Sequence, residues 1–244
     1  MSRLQASSRL QQWRRRLLRG LLYAAALWLI FSVGAVLALR WIDPLTSAFI
    51  VRDRFLAWTQ NDAKYSYHRK WVDLKQIAPP MRLAVIASED QTFPTHRGFD
   101  FKSIGNAFDE RERGRRTRGA STLSQQVAKN LFLWPGQSWI RKGIEAYFTV
   151  LIETFWTKER ILEIYLNLAE FGPGVYGVEA AGLIFFRRPA ARLTTYDAAL
   201  LAAVLPNPAR LRAAAPSAYV RSRQSWIVDQ MRGLGGVSYL ETLR

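Results

Sequence analysis

Side chains able to do chemistry gather in three stretches of this chain. The first is Ser88-Glu89-Asp90-Gln91-Thr92-Phe93-Pro94-Thr95-His96-Arg97-Gly98-Phe99-Asp100, with two adjacent carboxylates, a histidine, an aromatic ring and a glycine. Met81 to Ala87, just before it, is rich in helix formers and follows Pro79-Pro80, so it reads as a short buried helix. That helix delivers Glu89 to its C-terminal end, where the dipole disfavours an anion and apolar surroundings raise a carboxyl pKa. A carboxyl so placed can handle protons. Taken alone, the plainer reading, a Glu-Asp pair capping a turn, is the better supported.

The second stretch, Gly119-Ala120-Ser121-Thr122-Leu123-Ser124-Gln125-Gln126-Val127-Ala128-Lys129-Asn130, reads as a helix start. Thr122 with Gln125 forms a capping box, and the free N–H groups of such an end favour anions. Gln125, Gln126 and Lys129 fall three and four apart, so one face carries amides and an ammonium. A phosphate or sugar site would need that face, and a solvated helix would look the same. In the third stretch Arg141 and Glu145 stand four apart, with Lys142 adjacent. Its plain reading is an exposed ion pair worth tenths of a kcal/mol.

The elements that must position these groups are mostly helical from residue 81 onward. Ser138 caps a helix from Trp139 to about Trp156, after a break at Trp134-Pro135-Gly136. Thr157 or Lys158 opens another, running to Asn167 with Ile161, Leu162, Tyr165 and Leu166 on its buried face. Phe171-Gly172-Pro173-Gly174 makes a turn. Gly177 to Phe186 and Thr195 to Leu205 are apolar helices. A last helix, Ser217 to Met231, carries Arg221 and Arg223 beside Trp226, Ile227 and Met231. Phe101 to Phe108 is amphipathic, and 109–119 reads as an exposed, charged loop.

Ahead of this domain, residues 1–19 are basic and polar, with Arg14-Arg15-Arg16 and Arg19. Gly20 to Leu39 carries no charge over 20 residues, about 30 Å as helix. The run exceeds the apolar core of a signal peptide and has no clear small-residue cleavage site. It is expected to cross a membrane, with the arginine-rich end cytoplasmic. Residues 40–77 then connect anchor to domain, and Trp41, Trp58 and Trp71 among basic residues suit a segment near headgroups. The domain proper is expected over 78–244.

Composition narrows the partners. Lys and Arg number 35 against 19 Asp and Glu, a net charge of +16 that favours polyanions: nucleic acid, anionic lipid or a phosphorylated substrate. Nine Trp and 13 Phe suit a membrane surface better than a nucleic-acid module. Zero Cys and only His68 and His96 exclude disulfides and the common zinc sites.

Taken in order, the stretches resemble the peptidoglycan glycosyltransferases, glycosyltransferase family 51. The motifs that carry the resemblance are Glu89-Asp90 through Phe93 to His96-Arg97-Gly98; Gly119 to Gln126 with Lys129; Arg141-Lys142-Gly143-Ile144-Glu145; Lys158 to Asn167; and Arg223, Ile227-Val228 and Met231. Ala120 replaces a usual second glycine, and Ile227-Val228 a usual Val-Leu. With no Ser-x-x-Lys domain before the end at 244, the resemblance is to the monofunctional members.

The resemblance implies a mainly α, lysozyme-like domain behind a single N-terminal transmembrane helix, in the bacterial inner membrane with the catalytic domain periplasmic. It implies polymerisation of lipid II by inverting transfer of the lipid-linked chain to an acceptor 4-hydroxyl, releasing undecaprenyl pyrophosphate. Glu89 would be the base and Glu145 the second carboxylate, orienting Arg141 or assisting at the departing phosphate. Ser121, Thr122, Gln125, Gln126, Lys129, Arg141 and Lys142 would bind sugar and phosphate. Asp90 would join the substrate-binding set, holding a divalent cation such as Mg2+ in place, or play a helix-capping or structural role. His96 would be structural, and no cofactor is required. Expected partners are lipid II, nascent glycan, the membrane and other cell-wall synthesis proteins, with no nucleic acid. Two rivals are a lytic enzyme on finished glycan, which would need an acid for a sugar leaving group, and a non-catalytic basic membrane adaptor.

Overall fold

The basic N-terminal tail and the charge-free run after it fold as one long helix, α1 (Ser2–Ala38), in a computed structural model that describes residues 2–63, 65–103, 105, 121–136 and 138–243. Within α1, Gln12–Ala38 is long and apolar enough to cross a membrane. Leu22, Tyr23, Leu27, Ile30 and Phe31 are exposed around it, which a water-facing helix would not sustain. The first compact unit is Met1–Asp43 and the second Pro44–Arg244.

The second unit is mainly helical. After α2 (Ala48–Thr59) come α3 (Pro79–Glu89), α4 (Leu123–Phe132), α5 (Trp139–Phe155), α6 (Lys158–Leu168), α7 (Val178–Phe186), α8 (Thr195–Val204) and α9 (Ala218–Gly233). Side-chain caps start most of them: Ser47, Thr122, Ser138, Thr157, Thr194 and Ser217 each accept from a backbone N–H three residues on. α3 has no such cap and begins on Pro79-Pro80, whose missing N–H groups need none.

The core is the packing of α3 against α8 and α9. Met81, Leu83, Ala84, Val85, Ile86 and Ala87 of α3 and every residue of α8 from Ala198 to Val204 are buried. Small residues on α8 let the helices approach closely, and Ile227, Val228 and Met231 of α9 complete the layer. A second layer forms where α4 packs on α5 and α6.

A small sheet joins the early chain to this core. Strands β1 (His68–Arg69), β2 (Glu170–Gly172) and β3 (Val175–Tyr176) lie in the order β1-β3-β2, with β1 parallel and β2 antiparallel to β3. Gly174 turns at φ 73°, and a Cβ there would sit 2.1 Å from the Ser66 carbonyl oxygen, so only glycine fits.

Residues 44–77, read from sequence as a connector, are folded into the second unit. Arg69 donates to the carbonyls of Pro44 and Leu45, at 2.6 and 2.5 Å. The Asn167 side chain clamps both backbone groups of Val72, and Glu163 accepts from Leu74 N–H. Trp71 stacks with Arg69 and Arg160 rather than reaching out, whereas Trp58 is exposed. The expected charged loop 109–119 and most of the amphipathic run before it lie outside the described residues.

Candidate active site

Each stretch singled out in the sequence ends at a junction of α3, α4, α5 and α9. Glu89 is the last residue of α3, and its side chain is only 14 % exposed. Its Oε2 accepts from Gln126 Nε2 of α4 at 3.0 Å, and its Oε1 lies 3.8 Å from Arg223 Nη2 of α9. Burial pushes the Glu89 carboxyl above the ordinary 4.5, opposed by the Gln126 hydrogen bond, Arg223 and Lys129 and reinforced by Asp90. Tyr165 of α6, fully buried with its pKa raised by burial and by Glu89, points its hydroxyl at Gln126 Oε1, 3.4 Å away. This is a carboxylate held ready to take a proton, with its orienting partners around it.

Asp90 behaves differently. Its Oδ2 accepts from Leu123 N–H, the first residue of α4, at 2.9 Å, and His96 Nε2 lies 2.9 and 3.0 Å from its two oxygens. Gly98 N–H donates to His96 Nδ1 at 3.0 Å, so Nε2 carries the hydrogen that binds Asp90. Through Leu123 N–H, Asp90 ties the end of α3 to the start of α4. Its oxygens are engaged by the protein and do not fit a cation site, and no cluster of three His, Cys, Asp or Glu side chains occurs among the described residues.

The second stretch divides. Thr122 and Gln125 form the expected capping box, and Thr122 Oγ1 also donates to the Gly98 carbonyl at 2.7 Å. Both side chains are buried and fix the start of α4. Ser121 is exposed at the edge of α4, and Gln126 and Lys129 reach the site. Lys129 is half-buried; desolvation lowers its pKa, with Glu145 and Glu89 opposing and Arg141 and Lys142 adding to the fall. Its ammonium is thus coupled to both carboxylates.

The Arg141–Glu145 pair of the third stretch is buried, not solvated. Glu145 is 3 % exposed and accepts from Arg141 Nη1 at 2.7 Å and Lys142 Nζ at 2.5 Å. One carboxylate among Lys129, Arg141 and Lys142 leaves an excess of positive charge, which is what a bound pyrophosphate needs.

A supporting network holds these groups in register. Glu153 of α5 pairs with Lys158 of α6 at 2.7 Å and accepts from Ser124 Oγ of α4. Lys158 donates to the His96 carbonyl at 2.7 Å and lies 4.6 Å over the Phe93 ring. Gly98 closes the loop at φ 88°, where a Cβ would meet Thr149 and Glu153 at 2.8 and 3.0 Å. Sequence reasoning missed Glu153, although Glu145 two turns earlier on the same helix marks its face, and it gave Arg223 no role. After the second stretch, Leu131 and Leu133 are buried and Phe132 stacks on Phe148. Trp134, Trp139 and Ile140 are the exposed residues there.

A buried carboxylate of raised proton affinity and a cluster of cations around Glu145 thus share Lys129 as an electrostatic neighbour. The family model described as Transglycosylase matches residues 56–232. Proteins named biosynthetic peptidoglycan transglycosylase are similar over nearly the whole chain: 53 % identical from Xanthomonas campestris pv. campestris (strain B100), covering 93 % of this chain and 92 % of that one. The Klebsiella oxytoca protein is 55 % identical, covering 96 % of each, and the Citrobacter koseri protein 56 %, covering 93 % of each. The chain belongs to the transglycosylase family, and its helical domain is the lysozyme-like fold of that family.

Proposed function

We propose that the chain polymerises lipid II into peptidoglycan glycan strands, with Glu89 as the general base and Lys129, Arg141 and Lys142 as the pyrophosphate site. As a peptidoglycan glycosyltransferase it joins an acceptor 4-hydroxyl to the anomeric carbon of a lipid-linked chain. The hydroxyl oxygen attacks that carbon as its proton passes to a Glu89 carboxylate oxygen. The bond from the anomeric carbon to the pyrophosphate oxygen breaks, undecaprenyl pyrophosphate leaves with the electron pair, and the α configuration becomes β.

The observation that carries this reading is the pairing of a proton acceptor with a cation excess. A sugar hydroxyl is a poor nucleophile and needs a base, whereas a pyrophosphate leaves as an anion and needs charge stabilisation, not protonation. Glu89 has a raised proton affinity, and Gln126 and Arg223 keep its ionised form within reach. Glu145 aligns Arg141 and Lys142. Asp90 and His96 build the frame around these groups.

The anchor fits this substrate. A polyprenyl tail confines lipid II to the bilayer, and α1 would confine the enzyme to the same layer, its arginine-rich end cytoplasmic and its catalytic unit periplasmic at the inner membrane. Trp139 and Ile140, 91 % and 76 % exposed beside the cation cluster, suit contact with lipid. Incubating purified protein with labelled lipid II tests the reading. Polymer with release of undecaprenyl pyrophosphate is expected; cleavage of finished glycan without polymer, or no reaction, would contradict it.

A further inference from the structure

Lys129 has an unusual neighbour for a cation assigned to a phosphate. Among the described residues no carboxylate or hydrogen-bond acceptor lies within bonding distance of its ammonium. What it meets is the ring of Phe49, 5.6 Å from Nζ to the centroid, within the range of a cation–π contact. Phe49 belongs to α2, seven residues before the family model begins to match at residue 56, and α2 packs on α4.

α2 is also fixed well enough to serve as a wall. Ser47 caps it by accepting from Ile50 N–H at 3.2 Å, and Ile50 is fully buried. Arg69 grips the two carbonyls just before it, and Asp53 accepts from the Tyr176 hydroxyl of β3. Phe49 therefore lies between two fixed points in the first half of its helix.

We propose that Phe49 is a positioning residue for Lys129, the ring holding the ammonium in place and poorly hydrated so that its full charge is available to the leaving pyrophosphate. This rests on the phosphate role given to Lys129 above. An ammonium paired to a carboxylate would have to break that pair to bind phosphate, and a free one would carry tightly held water. A ring face supplies attraction without competing for the anion. α2 thereby joins the segment just after the membrane helix to the catalytic cleft.

The test is a double-mutant cycle on the full chain, read by kcat and KM for lipid II and by calorimetric binding of farnesyl pyrophosphate. Phe49→Leu keeps apolar bulk and removes the ring, and should weaken farnesyl pyrophosphate binding about fivefold, the scale of a partly desolvated cation–π contact. Phe49→Tyr should restore most of it. In a Lys129→Ala background, Phe49→Leu should add little, because the ring would have nothing left to position. Equal losses from Phe49→Leu in both backgrounds, failure of Tyr to rescue, or no loss at all would overturn the proposal. If Lys129→Ala itself leaves binding unchanged, the phosphate role of Lys129 fails, and the positioning role fails with it. Unfolding of Phe49→Leu is checked by circular dichroism, with Phe49→Met as the replacement.

Discussion

At the scale of single residues, adjacent groups of the same chemistry do different jobs because their partners differ. Glu89 and Asp90 share a carboxylate and a helix end, yet Asp90 is engaged by His96 and Leu123 N–H while Glu89 keeps Gln126 and Arg223. The pH dependence follows. Glu89 must be ionised to accept a proton, so activity should rise with pH through its folded pKa, which burial places above 4.5. Arg223 and Gln126 both favour the ionised form, so removing either raises that pKa further. Arg223→Ala and Gln126→Ala should each move the acid limb of the kcat/KM profile to higher pH. An unmoved limb, or one moved to lower pH, would show that these side chains do not face the base.

At the scale of elements, the site is a junction that the helices must reach in register, and Glu153 bridges them. It joins α4 through Ser124 and α6 through Lys158, which in turn grips the loop of His96. Glu153→Ala strands Lys158, whose side chain is 15 % exposed, and should cost about 3 kcal/mol. Thermal unfolding should then show Tm lower by roughly 6–12 °C. A shift under 2 °C would mean the network is not what holds α4, α5 and α6 together. Local signals made most of these elements legible in sequence. The Thr122–Gln125 box, the Ser138 and Thr157 caps and the Pro79-Pro80 start all stand where the helices begin. Long-range pairs left no such trace. Nothing local says that Asn167 clamps Val72, that Arg223 meets Glu89, or that residues 44–77 fold into the domain, since each depends on a partner far along the chain. The three motif stretches were legible as chemistry, but which of their polar side chains serve the frame depended on burial: Thr122 and Gln125 cap a helix, and Gln126 reaches the base.

For the molecule as a whole, a helix able to span a membrane and a cationic domain would keep the enzyme and a lipid-borne substrate in the same thin layer. The net charge of +16 favours anionic headgroups and pyrophosphate alike. Removing residues 1–43, the first compact unit, should leave the second unit folded and slow polymerisation on lipid II vesicles more than in detergent. Equal slowing in both would mean that confinement is not the anchor's purpose. The role proposed for Glu89 is to take the acceptor's proton at a site that binds the substrate by other groups. The most direct measurement is Glu89→Gln assayed side by side for lipid II polymerisation and lipid II binding. Gln keeps the shape and an acceptor for Gln126 but not the basicity, so turnover should fall by about 10²–10⁴ with affinity changed little. Turnover within a few-fold of the unaltered protein would contradict the account.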